Sequence, residues 1–473
     1  MKVKMILPSL LESGSPGQRP IKYSLFPPLG LATLAGHFPE NWDIELVDQH
    51  VMTLSLNDEP DLVMIEVYIT NSYRAYEIAD HYRAKGVKVI LGGLHVTSML
   101  AEALEHGDAL FIGPADHSFP EFLKDFKNGH VKKVYHSKTR NLNRIPLIRR
   151  DLIQRYRYLV PNSLVVSRGC PHHCNFCYKD AFFEGGKSFY TQQIEDVLED
   201  IGQLPGKHLY FLDDHLLGNT PYSKQLFREI KGMNRLFQGA STVDAILRGN
   251  LIDHAVSAGL RSIFIGFESI NSSSLISSNK KQNLSYKSED AIKKLRDLGV
   301  RVNGSFVFGL DGDGPDVFDR TVDWAVNQGL TTATFHIATP YPGTAFYKSI
   351  EKQGRLIHKK WDLYDTRQVV FKPIGMSEYQ LKQGYDKAYQ DFYKWSNILS
   401  SAKVQLNIQD IVRQFSYSAG WKKLEPLWNF LVQSGSLPYA RKVLESILDS
   451  KVSNKVNDRR DTINLINHKK ELA

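Results

Sequence analysis

The sequence predicts an α/β protein: a Rossmann-like, doubly wound parallel sheet, then a partial TIM-like barrel of six β/α repeats, then a helical C-terminal extension. Three observations carry this prediction. Short apolar, β-branched runs alternate with helical periodicity from the first residues to about 372. The connections between these runs are short over residues 1–135, as expected for parallel strands joined by crossover helices. Beyond residue 372 the β-branched runs stop and amphipathic helical patterns replace them.

In the N-terminal third, Lys2–Pro8, Asp43–Asp48, Leu62–Val67, Val87–Leu91 and Ala109–Gly113 read as five strands. Pro27–Gly36 opens with proline and continues as a helix, and Ser72–Lys85 has helical periodicity. On such sheets ligands sit at the carboxyl ends of strands, where strand order reverses. Those ends carry Pro8-Ser9, Thr70-Asn-Ser72, Gly92-Gly-Leu-His95 and Gly113-Pro-Ala-Asp116. The next expected strands are Ser163–Ser167, His208–Asp213, Phe237–Val243, Arg261–Phe267, Arg301–Gly309 and Thr332–Ile337. Helical segments at Thr191–Ile201, Ser223–Leu236, Leu251–Gly259, Ser288–Leu298 and Val317–Gln328 separate them. Two C-terminal blocks, Ser377–Ser400 and Ile408–Leu448, are amphipathic and aromatic. The expected division is 1–135 for the sheet domain, 136–162 for a basic linker, 163–372 for the barrel, 373–450 for the extension and 451–473 for a polar tail.

The chain has 473 residues, 42% of them hydrophobic, which allows about two or three domains with full cores. The N-terminus lacks a signal-peptide pattern, and no apolar run reaches the length of a membrane span. The expected location is therefore cytoplasmic. A net charge of +8 permits contact with anionic substrates or a membrane surface without requiring either. No dense basic patch or RNA-binding module supports a nucleic-acid partner.

All three cysteines fall in Cys170-Pro-His-His-Cys174-Asn-Phe-Cys177. A disulfide scaffold would leave one cysteine over, in a chain long enough not to need staples. Three thiolates in this spacing suit a [4Fe–4S] cluster with one iron free of protein ligands. The alternative is a structural zinc site with His172 or His173 as the fourth ligand.

The motif resembles the signature of the radical SAM superfamily, C-x3-C-x-Φ-C, with Phe176 at the aromatic position. The resemblance implies that Cys170, Cys174 and Cys177 are the metal ligands and catalytic cysteines. It further implies that S-adenosylmethionine binds the open iron and is cleaved reductively to a 5′-deoxyadenosyl radical. Six β/α repeats fit the open barrel of this superfamily, whose chemistry gathers at the C-terminal strand ends. Gly266-Phe-Glu-Ser269 resembles the family's G-x-E-S element, which implies Gly266, Glu268 and Ser269 as S-adenosylmethionine contacts. There Gly266 would let the backbone approach the ligand. Asp213, at another strand end, is a further candidate, with capping of the next helix as the alternative. Ser305 alternates with apolar neighbours and is expected to point into the barrel.

The N-terminal layout looks like the cobalamin-binding domain of one large radical SAM subfamily. Phe26-Pro-Pro-Leu-Gly30, Val47-Asp48, Gly92-Gly-Leu-His95-Val-Thr97 and Phe111-Ile-Gly113 carry this likeness. Thr70, Ser72, Gly92, Gly93 and Gly113 are the implied cobalamin contacts. Two features depart from pattern. Gly113-Pro-Ala-Asp116 stands where the family often has Gly-Glu-Ala-Glu. Asp48-Gln-His50 begins like the D-x-H-x-x-G cobalt-ligand motif but lacks its glycine, and is read as fortuitous. A sheet domain that no longer holds a corrin is the alternative.

The resemblance implies methyl transfer to an unactivated carbon of a small-molecule or lipid-like substrate, with flavodoxin or ferredoxin as electron donor. Radical cyclisation, oxidation or rearrangement without methyl transfer, and a non-catalytic iron–sulfur protein, stand as alternatives.

Overall fold

The structure is a computed structural model that describes residues 1–10, 25–423, 430–431 and 434–448. The expected polar tail, 451–473, lies outside the described residues.

The first sheet contains β1 (Lys2–Leu7), β2 (Asp43–Asp48), β3 (Leu62–Glu66), β4 (Lys88–Gly92), β5 (Ala109–Ile112) and β6 (Val134–His136). All pairings are parallel, in the order β2-β1-β3-β4-β5-β6. The winding reverses between β1 and β3, which places the ligand crevice of a doubly wound sheet there. Both faces are covered because alternate residues of each strand are apolar. Val63, Ile65 and Leu91 pack on the Ser72–Ala84 helix through Tyr76, Ile78 and Tyr82. Met5, Met64, Ile90 and Phe111 pack on Leu31, Phe119 and Phe122 of the other face. β6 has only three residues, too few to show a period, and the sequence reading missed it.

The second sheet runs through β7 (Ser163–Leu164), β10 (His208–Phe211), β11 (Leu236–Ser241), β12 (Leu260–Glu268), β13 (Arg301–Phe308) and β14 (Thr332–Ile337). These six parallel strands stand in sequential order, the arrangement of a partial barrel. A separate antiparallel pair, β8 (Ser167–Gly169) and β9 (Phe189–Thr191), was not expected. The first barrel strand is correspondingly shorter than expected. Asp213 accepts hydrogen bonds from the amides of Val166 and Ser167. Those amides therefore leave the ladder, and the chain turns away toward the cysteines.

The outward face of the barrel is a stack of rings. Phe267, Phe306, Phe335 and Phe308 follow one another at centroid spacings of 5.6, 5.7 and 5.5 Å. The expected helix at 377–400 is two helices, Glu378–Phe392 and Trp395–Lys403. Their tyrosines have a specific task. The hydroxyl of Tyr389 accepts from the amide of Phe335 and donates to its carbonyl, and Tyr393 treats Ala333 the same way. β14 is the edge of its sheet, so these hydroxyls satisfy groups that would otherwise be open to another strand. The helices Ile408–Lys423 and Leu437–Leu448 close the amino end of the barrel over a cavity of about 280 Å³ lined by Tyr210, Gln238, Asn303, Tyr417 and Trp421. This end lies away from the cysteine loop.

The two sheet domains are clamped together on the carboxyl side of their strands. Trp361 donates to Glu102, whose other oxygen meets His95 at 3.0 Å, and the Tyr73 hydroxyl donates to the Lys359 carbonyl.

Candidate active site

The cysteine loop leaves β8 at Gly169. Its φ of +75° and a would-be Cβ 2.0 Å from the Ser188 carbonyl both require glycine. The Cys170 amide then donates to Ser188, and the Cys177 amide to Cys174. The far side of the loop is tied to residues over a hundred positions later. Asn175 donates to the Ser278 carbonyl, and the Asn279 side chain donates to the His173 carbonyl. Asn175 also accepts from the amide of Phe346. Tyr178 donates to Asp214 at 3.0 Å. Phe176, the aromatic of the motif, is half-buried within this loop.

The residues present fit an iron–sulfur cluster. No disulfide joins the thiols, Cys174 is buried, and the other two are half-buried. Burial pushes the Cys170 thiol up to about 11 and the Cys177 thiol up to about 12. Thiolates here thus need a cationic partner, and iron would supply it. The four-ligand zinc alternative is not assembled. His172 lies over the ring of His215 at 5.5 Å and faces Asp244, while His173 meets Asp180 at 3.0 Å. Among the described residues, no group of three or more His, Cys, Asp or Glu side chains is arranged for a single metal ion.

Beside the thiols stands a buried ion pair that the sequence reading missed. Lys280 Nζ is 2.7 Å from Glu268 Oε1. Burial pulls the Lys280 pKa down, but Glu268 and the nearby Cys174 outweigh it, so the ammonium stays charged. Glu268 itself has a φ of +64°, a conformation that costs a non-glycine residue energy and that occurs at functional sites. Gly266 also has a structural reason. A Cβ there would lie 2.5 Å from Glu268 Oε1 and 3.3 Å from Lys280 Nζ, so glycine makes room for the pair. Lys280 sits in Ser278-Asn-Lys-Lys281, which in sequence looks like an exposed polar turn.

The remaining barrel candidates divide. Ser305 is buried on β13, and burial lowers the pKa of His336 on β14 while the charge of Glu268 partly raises it. Ser269 accepts from the Asn271 amide, a local turn. Asp213 corrects the expectation more sharply. Its carboxylate is spent on Val166 and Ser167, so it anchors the loop that leads to the cysteines instead of presenting itself to a ligand.

At the carboxyl ends of the first sheet lies a cavity of about 120 Å³. Gly92, Gly93 and Gly113 line it together with Leu31, Met64, Glu66 and Phe111. Gly93 has a φ of +121°, and a Cβ there would meet the Val67 carbonyl at 2.7 Å. Burial pushes the Glu66 carboxyl above its usual range. The barrel supplies two more walls, Arg168 and Phe182, both flanking the cysteine loop. Arg168 reaches back to Asp116 of the sheet domain at 2.9 Å. Thr70 and Ser72 do not line this cavity, and the Ser72 hydroxyl donates to the Ile69 carbonyl. The Asp48-Gln-His50 segment is tied into the sheet domain. His50 is buried against Asp48 at 2.8 Å, and Asp48 also accepts from Tyr158. A largely apolar slot with a glycine floor at the carboxyl ends of β3, β4 and β5 fits part of a corrin or its nucleotide tail.

A doubly wound sheet whose crevice faces a three-cysteine loop at the open end of a partial barrel defines a radical enzyme scaffold with an appended ligand domain. The comparisons with known proteins agree. Residues 164–325 match the family model "Radical SAM superfamily", and residues 23–123 match "B12 binding domain". The chain thus carries a radical SAM domain and a B12-binding domain, and the cofactors of these domains are a [4Fe–4S] cluster, S-adenosylmethionine and cobalamin. It is similar to bacteriochlorophyllide d C-12(1)-methyltransferase of Chlorobaculum tepidum, with 27% identity over 79% of this chain and 84% of that protein. Hopanoid C-2 methylase of Rhodopseudomonas palustris is 20% identical over 71% of this chain and 66% of the other. The fold matches the structure of TsrM from Kitasatospora setae with a TM-score of 0.61, at 14% identity, over 93% of this chain and 99% of that one.

Proposed function

We propose that this protein is a cobalamin-dependent radical SAM C-methyltransferase acting on an apolar small-molecule or lipid-like substrate. One observation carries the reading: the crevice of the B12-binding domain and the cysteine loop share the walls Arg168 and Phe182. Groups bound in the two places would meet across one space. The relatives supply the reaction class, since their names describe methylation of carbon positions on bacteriochlorophyllide and hopanoids.

When bound, the cluster and S-adenosylmethionine together supply a radical that abstracts hydrogen from carbon, and cobalamin supplies the methyl group. Every other role belongs to this chain. Cys170, Cys174 and Cys177 would hold the cluster. The Glu268 carboxylate and Lys280 ammonium form a ready-made counterpart for an amino acid: Glu268 would take the amino group and Lys280 the carboxylate of S-adenosylmethionine. Ser305 and His336 bound the same interior. Gly92, Gly93 and Gly113 let the sheet's backbone approach the corrin without side chains between. Asp213 fixes the loop, and the Trp361–Glu102–His95 contact holds the domains at one spacing. A low-potential donor such as flavodoxin or ferredoxin, in the cytoplasm, would supply the electron.

The test begins with protein purified without oxygen and reconstituted with iron, sulfide and hydroxocobalamin. Four irons and one cobalt per chain are expected. Incubation with methyl-labelled S-adenosylmethionine and pigment or lipid extracts should then move label into an apolar product. Iron without cobalt, or 5′-deoxyadenosine without label transfer, would replace methylation by another radical reaction.

A further inference from the structure

The helices Trp395–Lys403 and Ile408–Lys423 form a hairpin beside the barrel. The second helix turns Gln414 and Ser418 inward together with Tyr417 and Trp421, which line the cavity at the barrel's amino end. Gln414 donates to the carbonyls of Gly329 and Ser401, and Ser418 donates to Thr331. Ser401 of the first helix likewise faces inward, bonded to Leu330. Ile398 and Ala402 of the first helix are buried, but a second set of apolar residues points outward. Trp395, Leu399, Leu406, Ile408 and Val412 are between 41% and 69% exposed. Trp395 and Leu399 are one turn apart on the first helix, as are Ile408 and Val412 on the second. Trp395 stacks on Phe415 at 5.9 Å, which lays the two stripes side by side as one ridge. Scattered exposed apolar residues need no explanation, but a contiguous ridge does.

Charge says what covers it. From Lys394, the residue capping the first helix, to Lys423 the segment has Lys394, Lys403, Arg413, Lys422 and Lys423 against Asp410 alone. Half of the chain's net charge of +8 therefore lies in these thirty residues. Lys423 Nζ sits 5.5 Å over the Trp395 ring, at the border of the ridge. Exposed aliphatic side chains edged by tryptophan and fringed by lysine make the pattern of an interfacial helix, with rings at headgroup depth and ammonium groups among phosphates. No described helix is long and apolar enough to cross a membrane, so the contact would lie in the surface plane.

We propose that this hairpin docks the protein on an anionic lipid bilayer. Ile408, Val412 and Leu399 enter the acyl boundary, Trp395 lies at the interface, and the lysines bind the headgroups. The inference is independent of the proposed reaction, because it needs no cofactor.

The test is co-sedimentation of the full-length protein with vesicles of phosphatidylcholine alone or mixed with phosphatidylglycerol. Binding to the anionic vesicles should be about tenfold or more tighter than to neutral ones, and should weaken with salt. The pair Ile408→Asp and Val412→Asp should abolish it, and the pair Lys403→Glu and Lys423→Glu should remove the anionic preference, with melting unchanged in both. No vesicle binding, or equal binding by wild type and both variants, overturns the proposal. So does a wild-type dimer in solution that Val412→Asp dissolves, since the ridge would then belong to a second copy.

Discussion

The two halves of the candidate site are built on opposite principles. The crevice of the first sheet is made largely of backbone and apolar surface: Gly92, Gly93 and Gly113 form its floor, and its sides are mostly apolar, with Glu66, Asp116 and Arg168 as the charged exceptions. The barrel mouth is made of charge and thiol: Cys170, Cys174, Cys177, Glu268 and Lys280. The first arrangement can hold a large group by shape, and the second holds small ones by specific bonds. The contrast explains why substitutions should separate the two cofactors.

The largest separation is expected from Cys174→Ala. Iron should fall to background and 5′-deoxyadenosine formation should vanish, while cobalt binding persists. Loss of cobalt in the same variant would mean that the two sites are not independent. Next comes Glu268→Gln, which leaves the buried Lys280 ammonium unpaired. Denaturant melts should show a loss of about 3–5 kcal/mol, and S-adenosylmethionine affinity should fall about tenfold or more. Adding Lys280→Met should restore most of the stability without restoring the affinity. If affinity returns with stability, the pair serves only the fold.

Gly93→Ala tests the other half. At a φ of +121°, with the Val67 carbonyl 2.7 Å from the added carbon, the change should cost about 1–3 kcal/mol. It should lower cobalt per chain with iron unchanged, and equal losses of both metals would erase the distinction. The last test leaves the cofactors aside and concerns His215 beneath the cysteine loop. Burial lowers its pKa from 6.5 to about 3. The unfolded chain thus binds a proton that the folded chain refuses between these values. Stability is complete above pH 6.5 and declines as pH falls toward 3, by up to about 1.4 kcal/mol per pH unit. Melts of His215→Gln across that range should have a shallower acid slope than wild type, and identical slopes would place the titration elsewhere.

Much of this was legible in order along the chain. The alternation of β-branched runs and helical periods marks eleven of the fourteen strands among the described residues, with β7 cut short by Asp213. The three strands it missed, β6, β8 and β9, have three residues each and no readable period. In the site, the cysteine loop and Gly92-Gly93 can be found from neighbours in sequence. Thr70 and Ser72 stand off the glycine-lined cavity, because a strand end gives the level of a residue but not its direction.

By itself the sequence determined the local features: three thiols within eight positions, glycines at strand ends, and the amphipathic blocks after residue 372. Such features depend on spacing, and spacing is what a chain states directly. The tertiary structure alone decided which distant residues share an environment. It brought Lys280 to Glu268 and the thiols, turned Asp213 onto Ser167, and set Arg168 against Asp116 across the domain boundary. It also turned Gln414 and Ser418 inward and left Ile408 and Val412 outside. Burial and partnership at long range follow from packing, because free energies of charge and apolar surface depend on what surrounds a group once the chain is closed.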